Sequence, residues 1–191
     1  MAKTFIKTTG AISAGTSSVT FIDGTSDVVF DNTYSAYEFH WTGLHPENDN
    51  ADFGFQVNAA GGSGFNELIT AAMYRVENAE SGTYTSLGGA SGGEDQTQGD
   101  GLQKMFDRVD YAADSGAAGI LTIYDPSNTA HIKHFFSRMN SIHSDSFTMK
   151  CIVGGYINSG DPADQPAIDE IEFKFDNGDI DAGEIRMYGV S

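Results

Sequence analysis

The residues 89–93 read Gly-Ala-Ser-Gly-Gly and match the Gly-x-Ser-x-Gly pattern, in which Ser91 would be the nucleophile of a hydrolase. Such a nucleophile needs a strand before it and a helix after it, so that the serine stands on a sharp turn. The following residues 94–99 read Glu-Asp-Gln-Thr-Gln-Gly and offer no apolar helical face. The pattern therefore favours a flexible loop over a catalytic serine.

Three of the five histidines, His131, His134 and His143, raise the possibility of a metal site. His131 and His134 are three residues apart, so on a strand they would face opposite sides and could not share an ion. His143 lies two residues before Asp145, in a segment, 140–145, that we predict to be a turn. Without a cysteine or carboxylate at a convincing spacing, exposed or hydrogen-bonded histidines are favoured.

Two acidic segments, 47–52 and 176–181, could supply the six to eight oxygen ligands that calcium prefers. Neither segment fits the twelve-residue calcium loop with its closing glutamate. Asp and Asn are also common turn residues because their side chains hydrogen-bond to the backbone nearby. We therefore interpret both segments as turns.

The remaining candidates give no catalytic group. Cys151 follows Lys150 in an apolar strand pattern and is expected to be buried and inert, and Trp41 is expected in the core. The chain has neither a phosphate-binding loop nor a dinucleotide fingerprint. Nothing singles out two of its 27 acidic residues as a glycosidase pair. We predict no enzymatic activity, no cofactor, and no catalytic, cofactor-binding or metal-ligating residue.

The composition indicates which elements surround these residues. Of 191 residues, 23 are Gly, 21 are Phe or Tyr and only five are Leu. Such a chain favours strands joined by tight turns over helices. The net charge of −17 argues against binding nucleic acid or an anionic membrane, and a single cysteine excludes an internal disulfide.

Alternation of apolar and polar residues predicts most of the strands. The predicted strands are 37–41, 52–58, 119–124, 131–139, 147–157, 170–176 and 184–190. Residues 119–124 are apolar on both faces and indicate a central strand that ends at the turn 125–128, whereas 131–139 and 147–157 should pair antiparallel. Residues 67–76 fit a helix or a strand, and we favour the strand.

The loops and the ends complete the predicted organisation. Residues 88–101 and 158–165 are predicted to be loops, and residues 176–179 a turn between the last two strands. Eight or more short strands without a linker predict one all-β domain, a jelly-roll-like antiparallel β-sandwich of two packed sheets, over 16–191. Residues 1–15 would be an N-terminal arm or the first strand. The N-terminus lacks the apolar run of a secretory signal, so we expect synthesis in a cytoplasm.

Three stretches resemble a family of small virion structural proteins of tailed bacteriophages of the marine cyanophage type. They are 19–24 with 34–39 and 44–50; 121–135; and 168–173 with 178–190. The most specific piece is the closing Gly-Asp-Ile-Asp-Ala-Gly-Glu-Ile-Arg-Met-Tyr-Gly-Val of 178–190. The likeness extends over nearly the whole chain, is weakest over 58–116 and includes no catalytic motif.

The resemblance implies a jelly-roll-like subunit of a phage particle, often a trimer. We expect a capsid cement or decoration protein whose partners are further copies of itself, as a homotrimer, and the major capsid protein or other virion proteins. Its location would be the virion. The alternative is a receptor- or carbohydrate-binding module on a tail fibre, with a groove formed by 88–101.

Overall fold

The computed structural model describes residues 2–89, 94–161 and 163–191, and within these ranges the fold is all-β with thirteen strands. No helix in the described part is long and apolar enough to cross a membrane. The strands are β1 (Lys3–Thr8), β2 (Val19–Ile22), β3 (Ala36–Pro46), β4 (Ala51–Ala59), β5 (Leu68–Ala79), β6 (Thr85–Gly89), β7 (Gln96–Gly99), β8 (Gln103–Val109), β9 (Ala117–Tyr124), β10 (Lys133–His143), β11 (Phe147–Asn158), β12 (Ile168–Phe175) and β13 (Ile180–Val190).

All of these strands pair antiparallel within one sheet that curls over on itself. The larger layer has the order β1-β13-β3-β9-β10-β11-β5, and both β6 and β7 pair with the outer edge of β5. The smaller layer has the order β8-β4-β12-β2. The two layers are joined where His143 at the end of β10 pairs with Val109 of β8. The predicted jelly-roll-like all-β fold is confirmed, with one curled sheet in place of two separate sheets.

Aromatic side chains from the two layers meet in the core. Trp41 of β3 lies 5.3 Å from Phe53 of β4 between ring centroids, and Phe39 lies 5.2 Å from Phe173 of β12. Each of these side chains is at most 1% exposed, so the expected core position of Trp41 is confirmed. Burial of this apolar surface is the main force that holds the layers together.

The strand that is buried on both faces differs from the one that the sequence indicated. β9 is central in the larger layer, as predicted, but its residues Ala118 and Tyr124 are exposed on the outer side. The strand that is buried on both faces is β4, whose nine residues are all buried. The reason is a covering segment: the Gln56 amide donates to the carbonyls of Asp100 and Gly101, and Leu102 lies against Gly54.

Several sequence boundaries need correction. The predicted turn at 140–145 is wrong, because β10 continues to His143 and the turn lies at 144–146. The predicted loop 88–101 is wrong in its described part, since β6 includes 88–89 and β7 spans 96–99. The strand at 67–76, the β10–β11 pair and the turns at 125–128 and 176–179 are confirmed.

The N-terminal residues form an edge strand in this chain. β1 pairs antiparallel with β13, and the amide of Ala2 donates to the carbonyl of Ser191 at 3.2 Å. Phe5 of β1 is 54% exposed and packs edge-on against Tyr188 with centroids 5.8 Å apart. Residues 3–8 therefore extend the larger layer by one strand.

The core predicts a strict requirement for glycine at position 119. A Cβ there would lie 2.6 Å from Cζ2 of Trp41 and 2.7 Å from the carbonyl oxygen of Arg138, and both neighbours are fixed. Gly119→Ala should lower the free energy of unfolding by about 2 kcal/mol in urea denaturation, since overpacking of a tight core costs this much. Gly88→Ala is the control, because a Cβ at Gly88 meets nothing within 4 Å. Equal effects of the two changes would contradict the packing argument.

Candidate functional site

Two surfaces of the molecule gather polar side chains, and the first is a cleft beside the junction of the two layers. It has a volume of about 690 Å³ and lies between β5, the end of β10 and the turn 144–146. Its polar lining includes Arg75, Glu77, Tyr84, Arg108, His143 and Asp145. We call it the junction cleft.

The buried carboxylates beside the junction cleft are bound by cations. Glu77, 4% exposed, accepts from the Tyr84 hydroxyl at 2.5 Å and pairs with Nε of Arg75 at 2.9 Å. Asp107 accepts from Nη1 of Arg75 at 3.2 Å and lies 3.7 Å from Nε of Arg108. Burial, followed by the charge of nearby Asp52, raises the pKa of Asp107. Arg75 thus connects β5 to β8 by binding one carboxylate on each strand.

Asp52 extends this network to the start of β4. Its carboxylate forms an ion pair with Lys104 and accepts the backbone N–H of Arg108 at 2.7 Å. Its own N–H donates to the Asp176 carboxylate at 2.8 Å, after the last residue of β12. These bonds fix the corner at which the sheet curls. Both carboxylate oxygens of Asp52 have a partner, so neither is free to act as a general base.

His143 lies at the bottom of the same cleft, 1% exposed. Its ring stacks on Phe147 with centroids 4.2 Å apart, and its Nδ1 is placed to accept the backbone N–H of Asp145 at 3.0 Å. Burial above all, with the positive charge of Arg108, lowers the pKa of His143. The ring is therefore neutral at pH 7. His143 and Asp145 lie next to each other: besides this backbone hydrogen bond, a carboxylate oxygen of Asp145 lies 3.6 Å from Nδ1.

The other histidines of the metal hypothesis lie elsewhere. His131 and His134 are exposed at the start of β10, at the opposite end of that strand from His143. Within residues 2–89, 94–161 and 163–191 no three His, Cys, Asp or Glu side chains are grouped to hold a metal ion. The prediction that no residue binds a metal stays a prediction.

The two acidic segments 47–52 and 176–181 pack against each other, which their sequences did not indicate. The Glu47 carboxylate accepts the N–H of Asp179 at 3.1 Å, and Asn177 donates to the Asp49 carbonyl at 3.4 Å. Gly178 has a φ of 81°, and a Cβ there would lie 2.5 Å from Nδ2 of Asn48. Both segments serve as turns that connect the layers, and their side chains bond to each other.

The two reactive side chains considered in the sequence differ in outcome. Cys151 is completely buried, as predicted, and burial raises the pKa of its thiol to about 12. It is therefore a neutral thiol at pH 7. The serine pattern at 89–93 lies outside the described residues except for Gly89, the last residue of β6. The described residues that follow it contain β7, with no helix between 94 and 101.

The second candidate surface is the outer face, defined as the side of the larger layer that points away from the core. Large apolar side chains are exposed here: Phe5, Tyr74, Val76, Leu87, Tyr124 and Phe136. The strand register joins them with half-buried Ile120 and Ile152, because Ile120 pairs with Arg138, which pairs with Ile152, which pairs with Tyr74. Apolar and basic side chains thus alternate across the centre of this face.

A shallow depression of about 400 Å³ lies in the middle of the outer face. It forms at Ala118, whose side chain is small, and its lining includes His40, Ile120, Arg138, Asn140 and Lys150. We call it the basic depression. Among the described residues, neither Arg138 nor Lys150 has a carboxylate within ion-pair distance.

Two other cations on this side of the layer are paired. Lys3 binds Glu38 at 2.6 Å, and Arg186 binds Glu184 at 2.6 Å. In a chain with 27 acidic and 10 basic residues, two adjacent cations that lack a carboxylate partner in the described part of the structure are unexpected. Sequence reasoning missed them, although the exposed positions of β10 and β11 follow from their alternation. The alternation does not predict the strand register, which places Arg138 and Lys150 around one depression.

No protein-family model, curated protein or solved structure matches this chain. The resemblance to phage virion proteins therefore remains an expectation from the sequence. The geometry of the junction cleft and of the outer face provides the basis for a functional proposal.

The junction cleft predicts that Arg75 stabilises the fold. Arg75→Met would leave the buried Glu77 and Asp107 without their shared cation, and we expect the free energy of unfolding to fall by about 2 kcal/mol. The matched control is Arg138→Met on the outer face, for which a change below about 0.5 kcal/mol is expected. Urea denaturation of both variants at pH 7 tests this. A similar stability of the two variants would show that the Arg75 network contributes little.

The lowered pKa of His143 predicts a pH dependence of stability. Because the unfolded state binds a proton near pH 6.5 and the folded state only at lower pH, this contribution is present above pH 6.5 and is lost as the pH falls below it. The free energy of unfolding, measured from pH 7.5 to 5.5, should fall more steeply in the native sequence than in His143→Gln. His134→Gln, at an exposed position of the same strand, should keep the native slope. Parallel curves for His143→Gln and the native chain would contradict this.

Proposed function

We propose that this chain is a non-enzymatic structural subunit of a tailed-bacteriophage virion, a capsid cement or decoration protein that assembles through its outer face. The observation that supports this most directly is the concentration of exposed large apolar side chains on that one face. Contiguous apolar patches on a soluble protein usually mark a surface that another molecule covers. The sequence resemblance suggests that the assembly is a phage particle, and the outer face is the surface that we propose contacts its neighbours.

The two sides of the fold differ in a way that supports this proposal. On the smaller layer, the central strand β4 is covered by its own chain, because segment 100–102 lies across Gln56 and Gly54. The described residues provide no such cover for Tyr74 or Phe136, which are 42% and 43% exposed. A neighbouring subunit would bury this surface and contribute the free energy of association.

The junction cleft provides no support for a catalytic alternative. Glu77 and Asp107 each form an ion pair with Arg75, and Nδ1 of His143 accepts a backbone N–H. A general base needs a free acceptor directed at the substrate. These bonds instead stabilise the corner at which the sheet curls.

The net charge fits assembly in a saline medium. A charge of −17 keeps the free subunit soluble before assembly. In about 0.5 M salt the Debye length falls to a few ångström, so that repulsion between assembled copies is screened.

A second candidate function is a receptor- or carbohydrate-binding module on a tail fibre. The basic depression favours it, because a concave site with an apolar floor at Ile120 and polar groups at Arg138 and Asn140 has the features of a ligand site. The sequence expectation placed such a groove at 88–101. The basic depression lies on other strands, so mutations can distinguish a ligand site there from one at 88–101.

Gold-labelled antibodies against this chain, applied to purified particles of the phage that encodes it, test both candidates by electron microscopy. Label over the head is the expected result. Label on the tail would overturn the cement role and favour the binding module, which a glycan array would then examine. Unlabelled particles, with the chain also absent from their mass spectrum, would contradict a virion role.

The same particles allow a test of the outer face. Recombinant Phe136→Glu should bind at least tenfold less well than the native chain to particles stripped of this subunit, because it places a charge in the apolar contact. Tyr111→Glu is the matched control, since Tyr111 is 54% exposed in the segment after β8 and lies off the outer face. Equal loss in both variants would mean that the outer face is not the contact.

A further inference from the structure

We infer that the basic depression receives carboxylates from a second copy of this chain, supplied by an acidic corner of the smaller layer. The inference rests on the proposed assembly role and deepens it, because it names the partner of the outer face. The contact is heterologous: two different surfaces of the same chain meet.

The chemistry of the basic depression selects an anionic occupant. Arg138 and Lys150 are exposed and project from neighbouring strands β10 and β11, where Asn140 pairs with Lys150 and Arg138 pairs with Ile152. They have no carboxylate partner within the described ranges, whereas Lys3 and Arg186 on the same layer each have one. The floor at Ile120 and Ala118 is apolar, so it offers no side-chain acceptor that would compete with an entering carboxylate for the two cations.

The acidic corner lies where β12 begins beside the end of β2, and consists of Asp23, Asp169 and Glu170. The N–H of Asp23 donates to the carbonyl of Asp169 at 2.8 Å, and Glu170 pairs with Ile22 in the ladder. No described Lys or Arg forms an ion pair with any of the three. Burial first, then the charges of Glu170 and Asp23, raises the pKa of Asp169, and one of its carboxylate oxygens is buried without a hydrogen-bond partner.

Charge complementarity therefore points to a second copy as the occupant. Among the residues that the structure describes, the acidic corner holds three mutually repelling carboxylates without an ion-paired cation, and the basic depression holds two cations without an ion-paired carboxylate. Each surface lacks the group that the other provides. They lie on different layers, β12 with β2 and β10 with β11, so that one copy cannot satisfy both from within.

Repulsion between like charges determines the symmetry of the contact. A two-fold contact of outer face with outer face would bring the Arg138 and Lys150 side chains of both copies together, and like charges oppose this. A contact of depression with corner leaves one depression and one corner open at the ends of each pair. Such contacts close into a ring or continue as a filament. The trimer expected from the sequence resemblance would be the smallest closed ring beyond a pair.

The test is self-association of the full chain in about 0.5 M salt, measured by sedimentation velocity with two complementary variants. The depression variant is Arg138→Gln with Lys150→Gln, and the corner variant is Asp169→Asn with Glu170→Gln. Each variant alone should associate at least tenfold more weakly than the native chain. When mixed, they should form one-to-one pairs that grow no further, because only one intact depression meets one intact corner.

The controls change the net charge in the same direction elsewhere, by one unit where the surface variants change it by two. Lys7→Gln and Asp114→Asn alter residues that lie outside both surfaces and form no ion pair with a described residue. Both control variants should associate like the native chain. Far-ultraviolet circular dichroism and urea denaturation establish that all variants keep the fold.

Each remaining outcome overturns the inference. A native chain that stays monomeric, a mixture that gives no pairs, or controls that weaken association equally would each do so. Pairs formed by the corner variant alone would indicate a two-fold contact instead. The immunogold experiment tests location, and sedimentation tests self-association. A labelled particle together with a monomeric chain would reject only this inference. An unlabelled particle together with a chain that self-associates as expected would reject only the proposed virion role.

Discussion

The aromatic side chains of β3, β4 and β12 pack into one layer between the two parts of the curled sheet. Trp41, Phe53 and Phe173 are completely or almost completely buried there, and Phe53 and Phe173 stack at 6.2 Å between centroids. To bury them, β4 and β12 must lie across the inner side of β3 and β9. The sheet can reach this arrangement only by curling, and the curl occurs between β10 and β8. Gly119 is part of the same constraint, since only a residue without a Cβ leaves space for the Trp41 ring.

The curl has an electrostatic consequence. At the corner the ladder between β10 and β8 is short: it consists of the pair His143 and Val109, with one flanking backbone hydrogen bond from Asp110 to Ile142 and one from Ser144 to Arg108. Arg75, with Glu77 and Asp107, adds a side-chain connection between β5 and β8 in a partly buried position beside this short ladder. Charges held in such a place lose hydration and are tolerated because they are paired. The lowered pKa of His143 and the raised pKa of Asp107 have this common origin: burial disfavours the charged form of each.

Much of the fold follows from period-two patterns because alternation is a local property. The patterns at 37–41 and 170–176 predict strands that the structure contains, and the Asp125–Asn128 turn is held by local bonds that its residue types indicate. What alternation lacks is the identity of the neighbours. It presents β4 as a half-exposed strand, but segment 100–102 covers it, and the two acidic turns meet although 124 residues separate Asp52 from Asp176. The junction cleft and the basic depression depend on such distant pairings, so that neither was predictable from the sequence.

The same constraint explains why the surface differs on the two sides of the fold. Once the smaller layer has packed against the inner side of β3, β9 and β10, that side is covered, while the opposite side of these strands is open as far as the described ranges extend. Residues on an open sheet face are free to vary in polarity unless another molecule covers them. On this face Tyr74, Phe136 and Leu87 are apolar, while Arg138 and Lys150 have no ion-pair partner among the described residues of a chain with a large excess of carboxylates. The apolar side chains and the cations of this face both fit the proposed contact with a further copy of this chain, whose surface is apolar in part and acidic in part.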